Sequence, residues 1–257
     1  KLYIKAGIRP TWDNGKMKVL PDVLVDYHIQ EKKIIVTAGW VAHVRKNTYQ
    51  YLVSQNPWIN QPVKQFNTRI TEVYGGVKGT LANSFNYRVQ GGYLEQLGLP
   101  LFSNFAKPSL FSVLQESKLQ AFHWQAEMGF VLQDKFNASA KMDLYNFIGQ
   151  QTYGGAWHVI PVQLTAALRW QPTEKIMIKS DLYAWQGALF ETTLNTNRLP
   201  AVFDLNAGME FKVHKLVSVW GEFNNIFNRK YERWNNYPSL GFNFLAGIRL
   251  TFDQKQN

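Results

Sequence analysis

The stretch Phe242-Asn243-Phe244-Leu245-Ala246-Gly247-Ile248-Arg249-Leu250-Thr251-Phe252 places an apolar side chain at every second position. A period of two sends successive side chains to opposite faces of a β-strand. The same alternation occurs in segments 122–132, 162–170 and 203–213. These segments run for about 10–13 residues, whereas strands of soluble sheets average about 5–6 and tilted strands that cross a bilayer need about 9–11. The pattern therefore predicts membrane-spanning strands.

Alternation of this kind continues along the whole chain and predicts about twelve strands in one domain, residues 1–257. We predict them near 2–9, 22–30, 33–43, 69–81, 84–94, 117–132, 135–146, 161–171, 174–186, 201–213, 215–226 and 241–252.

The connections between these strands are of two kinds. Short polar turns are predicted at Gln30-Glu31-Lys32, Ala82-Asn83, Gln133-Asp134, Pro172-Thr173 and near His214. Longer segments lie between the resulting hairpins, at 44–68, 96–116, 147–160, 188–200 and 228–240. Outer-membrane barrels have tight periplasmic turns at one end and long extracellular loops at the other. The strict alternation of short and long connections predicts this arrangement, with both termini on the periplasmic side.

One face of the predicted strands is apolar and the other is polar, as in a barrel with a lipid-facing outside and a polar lumen. The candidates for the inner face are Asp22, Asp26, Glu72, Lys78, Arg88, Glu127, Lys141, Asp143, Arg169, Lys179, Asp181, Glu210, Glu222 and Arg249.

Composition excludes several classes of protein. Apolar residues make up 46% and charged residues 18%, and no apolar run approaches the 18 residues of a transmembrane helix. The net charge of +10 is dispersed along the chain, which argues against a nucleic-acid partner. The absence of cysteine excludes disulfides and thiolate metal sites.

No stretch of the sequence carries a recognisable catalytic, metal-binding or cofactor-binding motif. Gly75-Gly76-Val77-Lys78-Gly79 lacks the spacing of a phosphate loop and falls inside a predicted strand. The five histidines lack the H-x-x-x-H and H-E-x-x-H spacings of metal sites. We therefore predict no enzyme, no cofactor and no metal.

The C-terminal segment from Glu222 to Phe252 resembles the end of TonB-dependent receptor barrels. In that family the penultimate strand ends in a phrase of the form (V/F)-x-N-(L/I)-F-(N/D)-x-x-Y, a loop with Tyr-Pro and Gly follows, and the last strand ends on an aromatic residue. The matching residues are Asn225, Ile226, Phe227, Asn228, Tyr231, Tyr237, Pro238, Gly241 and Phe252. The phrases Asn56-Pro57-Trp58, Ala156-Trp157-His158 and Arg169-Trp170-Gln171-Pro172-Thr173-Glu174-Lys175 are similar to members from Bacteroidetes.

The resemblance implies a transporter in the outer membrane of a Gram-negative bacterium, for a scarce solute such as an iron chelate, cobalamin or an oligosaccharide. Family barrels have 22 strands around an N-terminal plug, whereas this sequence predicts about twelve strands and no plug. The chain is therefore either the C-terminal part of such a barrel or a small barrel of about twelve strands. Besides lipid and a solute, its expected partners are the N-terminal barrel and plug portion or other outer-membrane subunits. The alternative function is a plugless structural or partner-binding barrel.

Aromatic residues in the long predicted loops are the candidates for a solute-binding site at the barrel mouth. The alternative for these residues is that the loops pack on one another, or that some rings lie at the level of the lipid headgroups. The candidates are Trp58, Trp157, His158, Trp234 and Tyr237.

Overall fold

The computed structural model describes residues 1–13, 15–62, 64, 66–133, 135–192 and 196–252. Twelve strands form one antiparallel sheet. They are β1 (Leu2–Asp13), β2 (Lys16–Gln30), β3 (Ile34–Arg45), β4 (Thr68–Leu81), β5 (Phe85–Ser103), β6 (Ser112–Leu132), β7 (Phe136–Gln150), β8 (Val162–Thr173), β9 (Ile176–Trp185), β12 (Val202–His214), β13 (Val217–Asn224) and β16 (Asn243–Leu250).

Strand order in the sheet follows the order of the chain. Each strand pairs with the next one in the sequence, and the pairs β9–β12 and β13–β16 enclose two small separate hairpins. These are β10 (Leu189–Glu191) with β11 (Thr196–Arg198), and β14 (Glu232–Trp234) with β15 (Tyr237–Pro238). Within the described residues β1 and β16 each have one sheet neighbour, so the sheet has two free edges. The predicted all-β antiparallel architecture of about twelve strands is confirmed.

The first connection differs from the prediction, which ended the first strand at residue 9 and began the second at residue 22. In the structure Asp13 pairs with Lys16, so only Asn14-Gly15 separates the two strands. Asn14 lies outside the described residues, and Gly15 has a positive φ of 75°, as a two-residue hairpin turn requires. This turn lies at the sheet end that carries the long loops, so the strict alternation was wrong for this connection.

The prediction of a loop at 96–116 was also wrong, because most of these residues belong to β5 and β6. β5 and β6 remain paired up to Ser103 and Ser112, well beyond the ends of their neighbours β4 and β7. Gly98 allows this extension because it adopts a positive φ of 73°, and a Cβ there would lie 2.7 Å from the carbonyl oxygen of Asn67. Most predicted short turns lie where expected, although Asp134 falls outside the described residues. The turn predicted at Pro172-Thr173 lies at 174–175 instead, because β8 continues to Thr173, which pairs with Ile176.

The pairing register assigns every strand residue to one of two faces. The outer face exposes large apolar side chains such as Ile4, Trp40, Val73 and Trp124, while the inner face carries the charged side chains described below. The well-buried apolar clusters lie at the loop end of the sheet, around Phe111 and around Leu101. The one described helix, α1 (Tyr49–Gln55), belongs to the first of these clusters. Among the described residues no helix is long and apolar enough to span a membrane.

Candidate functional site

The long loops meet in an aromatic cluster over the end of the sheet. We call this cluster the loop cap and define it as Leu52, Trp58, Ile59, Phe102, Phe111, His158, Trp234 and Tyr237. Phe111 lies at its centre and is completely buried.

Local signals in the sequence position the parts of the loop cap. Thr48 caps α1 by accepting a hydrogen bond from the backbone N–H of Tyr51, which directs Leu52 into the cluster. Phe111 and Ile59 form an isolated parallel bridge, in which the N–H of Phe111 donates to the carbonyl of Trp58 at 2.8 Å. The small β14–β15 hairpin presents Trp234 and Tyr237 to the same place.

The rings of the loop cap contact one another directly. Phe111 lies edge-on to His158 at 5.1 Å between centroids and to Trp234 at 5.4 Å. His158 and Trp234 are 5.1 Å apart, and Trp58 stacks on Tyr237 at 4.0 Å. Aromatic pairs at such distances contribute about 0.5–1.5 kcal/mol each beyond the area they bury.

Of the five predicted site residues, Trp58, His158, Trp234 and Tyr237 come together in the loop cap. Trp157 is adjacent in the chain and contacts Tyr153 instead, at 5.2 Å between ring centroids. Trp157, His158 and Trp234 are 3–6% exposed, so in this structure their side chains are closed to solvent. Trp58 is 38% exposed, and Tyr237 is half-buried. The packing of loops on one another therefore accounts for the buried members.

One cation and one imidazole are enclosed within the loop cap. Arg233 donates from Nη2 to the carbonyl of His158 at 3.1 Å, and its guanidinium carbon lies 4.4 Å from the ring centroid of Trp234. Burial, reinforced by Arg233, lowers the pKa of His158 to about 3, and burial lowers the pKa of Arg233 to about 10. His158 is therefore neutral at physiological pH, and Arg233 carries the positive charge.

A buried carboxylate fixes the loop that carries Trp157 and His158. Glu116 on β6 is completely buried, and Oε1 accepts the N–H groups of Lys118, Gln151 and Thr152 at 2.9–3.1 Å. Its second oxygen accepts the N–H of Tyr153 at 3.0 Å. Sequence reasoning missed this contact, which depends on the unpredicted extension of β6.

The inner face of the sheet is joined by ion pairs between strands. One group of these contacts surrounds His123. Its Nδ1 lies 2.9 Å from a carboxylate oxygen of Glu72, and its Nε2 lies 3.1 Å from a carboxylate oxygen of Asp143. Tyr145 stacks on the imidazole at 4.3 Å between centroids. The sequence pattern placed these residues on the polar face but gave no partner for His123, because β4, β6 and β7 meet only in the folded sheet.

The other inner-face pairs confirm the predicted polar face. Arg88 lies opposite Lys78 on this face by register. The remaining ion pairs are Lys5–Asp22, Arg9–Asp22, Lys18–Asp13, Lys78–Asp26, Lys141–Glu127, Lys141–Asp143, Arg169–Asp181, Lys179–Glu222 and Arg249–Glu210.

An open cavity of about 780 Å³ lies against the inner face, lined by Lys78, Arg88, Glu127, Lys141 and Asp181 among others. Its mixture of cations and carboxylates suits a polar solute or a polar protein surface. Among the residues that the structure describes, no group of three or more His, Asp or Glu side chains is arranged to hold a metal ion.

The C-terminal phrase forms a hydrogen-bonded loop after β13. Asn225 adopts a positive φ of 49°, donates to the carbonyls of Arg229 and Leu240, and accepts the N–H of Arg229. Asn228 accepts the N–H of Phe242 at 2.9 Å, and a Cβ at Gly241 would lie 2.5 Å from the same Asn228 oxygen. Tyr231 donates to Asp204 at 2.6 Å. These matched residues therefore shape the approach to the last strand.

Solved structures of outer-membrane receptors share this fold. The pyoverdine outer membrane receptor FpvA from Pseudomonas aeruginosa PAO1 has a TM-score of 0.68 and 13% identity over 98% of this chain and 40% of its own. The siderophore receptor PirA from Acinetobacter baumannii has a TM-score of 0.67 and 9% identity over 92% and 41%. The copper transporter OprC has a TM-score of 0.61 and 13% identity over 92% and 40%.

These similarities show the fold, an antiparallel sheet of the receptor β-barrel type. The chain spans about two fifths of the length of these structures. No protein-family model and no curated protein matches the chain.

Proposed function

We propose that this chain is the barrel portion of a TonB-dependent-receptor-like transporter in the outer membrane of a Gram-negative bacterium, with Bacteroidetes as the source group. The observation that carries the proposal is the twelve-stranded sheet, with a charged inner face and an apolar outer face. This sheet aligns along 91–98% of the chain with solved receptors and transporters for pyoverdine, enterobactin, iron or copper. The C-terminal phrase supports the same family.

The proposed cargo is a scarce solute, such as an iron chelate, cobalamin or an oligosaccharide, and the proposed contact site is the loop cap. Trp58 and Tyr237 form its accessible surface, and His158 and Trp234 are buried members of the same cluster. Trp157 is included in the proposed site as the neighbour of His158 in the chain, packed against Tyr153. The remaining barrel strands and a plug are proposed to lie in an N-terminal portion that meets the inner face and the free edges. Transport without chemistry fits this arrangement, so we propose no enzymatic activity.

Uptake by the whole protein tests the transport proposal. Deleting the complete gene should abolish growth on one iron chelate, cobalamin or oligosaccharide supplied as the limiting nutrient, and restoring the gene should recover growth. The variant Trp58→Ala should raise the solute concentration needed for growth. Unchanged growth on all three classes would contradict the proposal.

Insertion of the chain into a membrane as a β-barrel can be tested separately from transport. The chain should be monodisperse and heat-modifiable in detergent, and a stable monomer in plain buffer would contradict membrane insertion.

A second function, a structural or partner-binding barrel subunit, is favoured by the two free edges of β1 and β16. Unpaired edges offer backbone groups to strands of another chain. The complete open reading frame discriminates the two functions, since several hundred preceding residues with a plug support transport, whereas a start codon just before Lys1 supports the subunit.

A further inference from the structure

Charged side chains are distributed very unevenly between the two faces of the sheet. In the twelve strands of the main sheet, as far as the structure describes them, the pairing register places Asp, Glu, Lys and Arg on the inner face with four exceptions, Arg69, Glu95, Glu116 and Lys118. Glu116 is enclosed by the backbone N–H groups described above. The other three meet on β4, β5 and β6, and we call them the outer charged cluster.

The two cations of the outer charged cluster reach one common point. Arg69 and Lys118 lie in the same row of the sheet, on either side of Leu97. Nη2 of Arg69 lies 3.9 Å from Oε1 of Glu95, and Nζ of Lys118 lies 3.4 Å from Oε2. Because both side chains reach the two oxygens of one carboxylate, both can reach the oxygens of one phosphate placed there.

The cations are incompletely satisfied by Glu95. A separation of 3.9 Å is too long for a hydrogen bond, and Nε of Arg69 is buried with no partner among the described residues. The cluster carries a net charge of +1, and guanidinium groups bind phosphate through paired N–H donors. An anion with several oxygens would therefore satisfy donors that the carboxylate leaves free.

The position along the strand corresponds to the headgroup level of a membrane. Arg69 lies 12 residues from Leu81, the last residue of β4 at the short-turn end. At about 3.3 Å per residue these positions are about 40 Å apart along the strand, or about 30 Å in height at a barrel tilt near 40°. This height equals the thickness of a bilayer's hydrocarbon core, about 30 Å.

An aromatic belt begins directly below the cluster on the same face. On this face, the row after Leu97 and Lys118 contains Glu95 and Gln120, and the row after that contains Tyr93 and Phe122. The ring centroids of Tyr93 and Phe122 are 6.4 Å apart. Trp40 on β3 lies in the same row as Tyr93 and Phe122, and Trp124 on β6 lies one row further from the cluster. Both tryptophans are more than half exposed. Aromatic side chains of this kind lie at membrane interfaces, so the cluster lies on the polar side of the interface.

We propose that Arg69 and Lys118 bind a phosphate of an outer-leaflet glycolipid, and that Glu95 competes with this phosphate for the two cations. The proposal rests on the outer-membrane location given under the proposed function, and on the assignment of the long-loop end to the outer leaflet. It assigns the lipid a specific contact on β4–β6.

Native mass spectrometry of the full chain in dodecyl maltoside tests the proposal, with bisphosphorylated lipid A as the probe. The dephosphorylated form of the same glycolipid is the comparison. The double variant Arg69→Gln/Lys118→Gln should reduce occupancy by lipid A about tenfold, since it removes both cations that donate charge-assisted hydrogen bonds to the phosphate. The matched control Lys16→Gln/Lys212→Gln removes the same charge from the inner face and should leave occupancy unchanged.

The variant Glu95→Gln gives a result that simple loss of structure cannot produce. It removes the competing carboxylate and should raise occupancy by lipid A severalfold, without changing binding of the dephosphorylated form. Equal binding of both glycolipids, or equal loss in the double variant and its control, would overturn the proposal. If the protein is heat-modifiable in detergent and still gives one of these two contrary results, only the lipid-site proposal is disproved. If the protein is not heat-modifiable, the proposed function is disproved as well.

Discussion

The inner face of the sheet and the loop cap both join residues that are distant in the chain, but different forces hold them. On the inner face, ion pairs such as Lys78–Asp26 at 2.8 Å form between partly exposed side chains. In the loop cap, Phe111, His158 and Trp234 pack as nearly solvent-free rings. Exposed ion pairs contribute about 0–1 kcal/mol, whereas burial of a large ring contributes several times more. The loop cap is therefore the more strongly stabilised of the two, although it is built from loops.

Removing the central ring of the loop cap should have the largest effect. We expect Phe111→Ala to destabilise the loop cap by about 3–5 kcal/mol, because it leaves a cavity among buried rings. Hydrogen exchange of the loop amides in 46–62 and 231–240 measures the change. The control Phe105→Ala changes an exposed ring in the same connection and should have little effect. Equal exchange in both variants would contradict a cap centred on Phe111.

Neutralising the buried carboxylate should have the next largest effect. In the wild type the backbone N–H groups of residues 151–153 donate to the two carboxylate oxygens of Glu116. Glu116→Gln replaces one of these oxygens with an amide N–H₂ group, which cannot accept a hydrogen bond, and should lower the free energy of unfolding of this loop by about 2–3 kcal/mol. Hydrogen exchange at residues 151–153 should accelerate accordingly. Glu127→Gln makes the same substitution on the inner-face side of the same strand and should leave that exchange unchanged.

Acid should weaken the loop cap, because burial keeps His158 uncharged. The pKa of His158 is lowered from its ordinary 6.5 to about 3, so an opened cap binds a proton between these values while the closed cap does not. Stability of the cap should therefore be unaffected above pH 6.5 and fall below it, by at most about 1.4 kcal/mol per pH unit. Tryptophan fluorescence reports the opening through Trp234. His158→Phe should remove this dependence, and His214→Gln, at the exposed end of β12, should retain it.

The smallest effect is expected on the inner face. A double-mutant cycle with Asp26→Asn and Lys78→Gln should give a coupling of about 0.5–1 kcal/mol that decreases in high salt. Urea unfolding in detergent at two salt concentrations measures it. A coupling as large as the effect of Phe111→Ala would reverse the ranking of the two regions.

The sheet could be predicted from the sequence, because strand register is a consequence of period-two alternation. Inner-face residues such as Asp26 and Arg169 were placed correctly by this rule. The Asn14-Gly15 dipeptide was the available signal for the first hairpin, since Asn-Gly favours its turn type. The extension of β5 and β6 had only Gly98 as a signal, and an isolated glycine in a strand allows several outcomes.

Contacts within the loop cap could not be predicted in the same way. Asn104 donates to the carbonyl of Asn235 across 131 positions of the chain, and no periodicity relates such residues. The aromatic composition of the loops identified Trp58, His158, Trp234 and Tyr237, but missed Phe111, which joins them. Likewise, the partners of His123 depend on which strands become neighbours. Solute contact by the five predicted residues stays a prediction.

The agreement between strand order and chain order has a consequence for assembly. Each sheet pairing joins strands that follow one another in the sheet and in the chain, so each pairing closes only the single connection between them, the longest of which runs from Arg45 to Thr68. The entropic cost of each closure is therefore lower than for a pairing between distant parts of the chain. Strands can therefore be added one after another to a growing ribbon, without waiting for a distant segment. β5 and β6, with the longest continuous pairing, provide a local hairpin from which such growth can start in both directions.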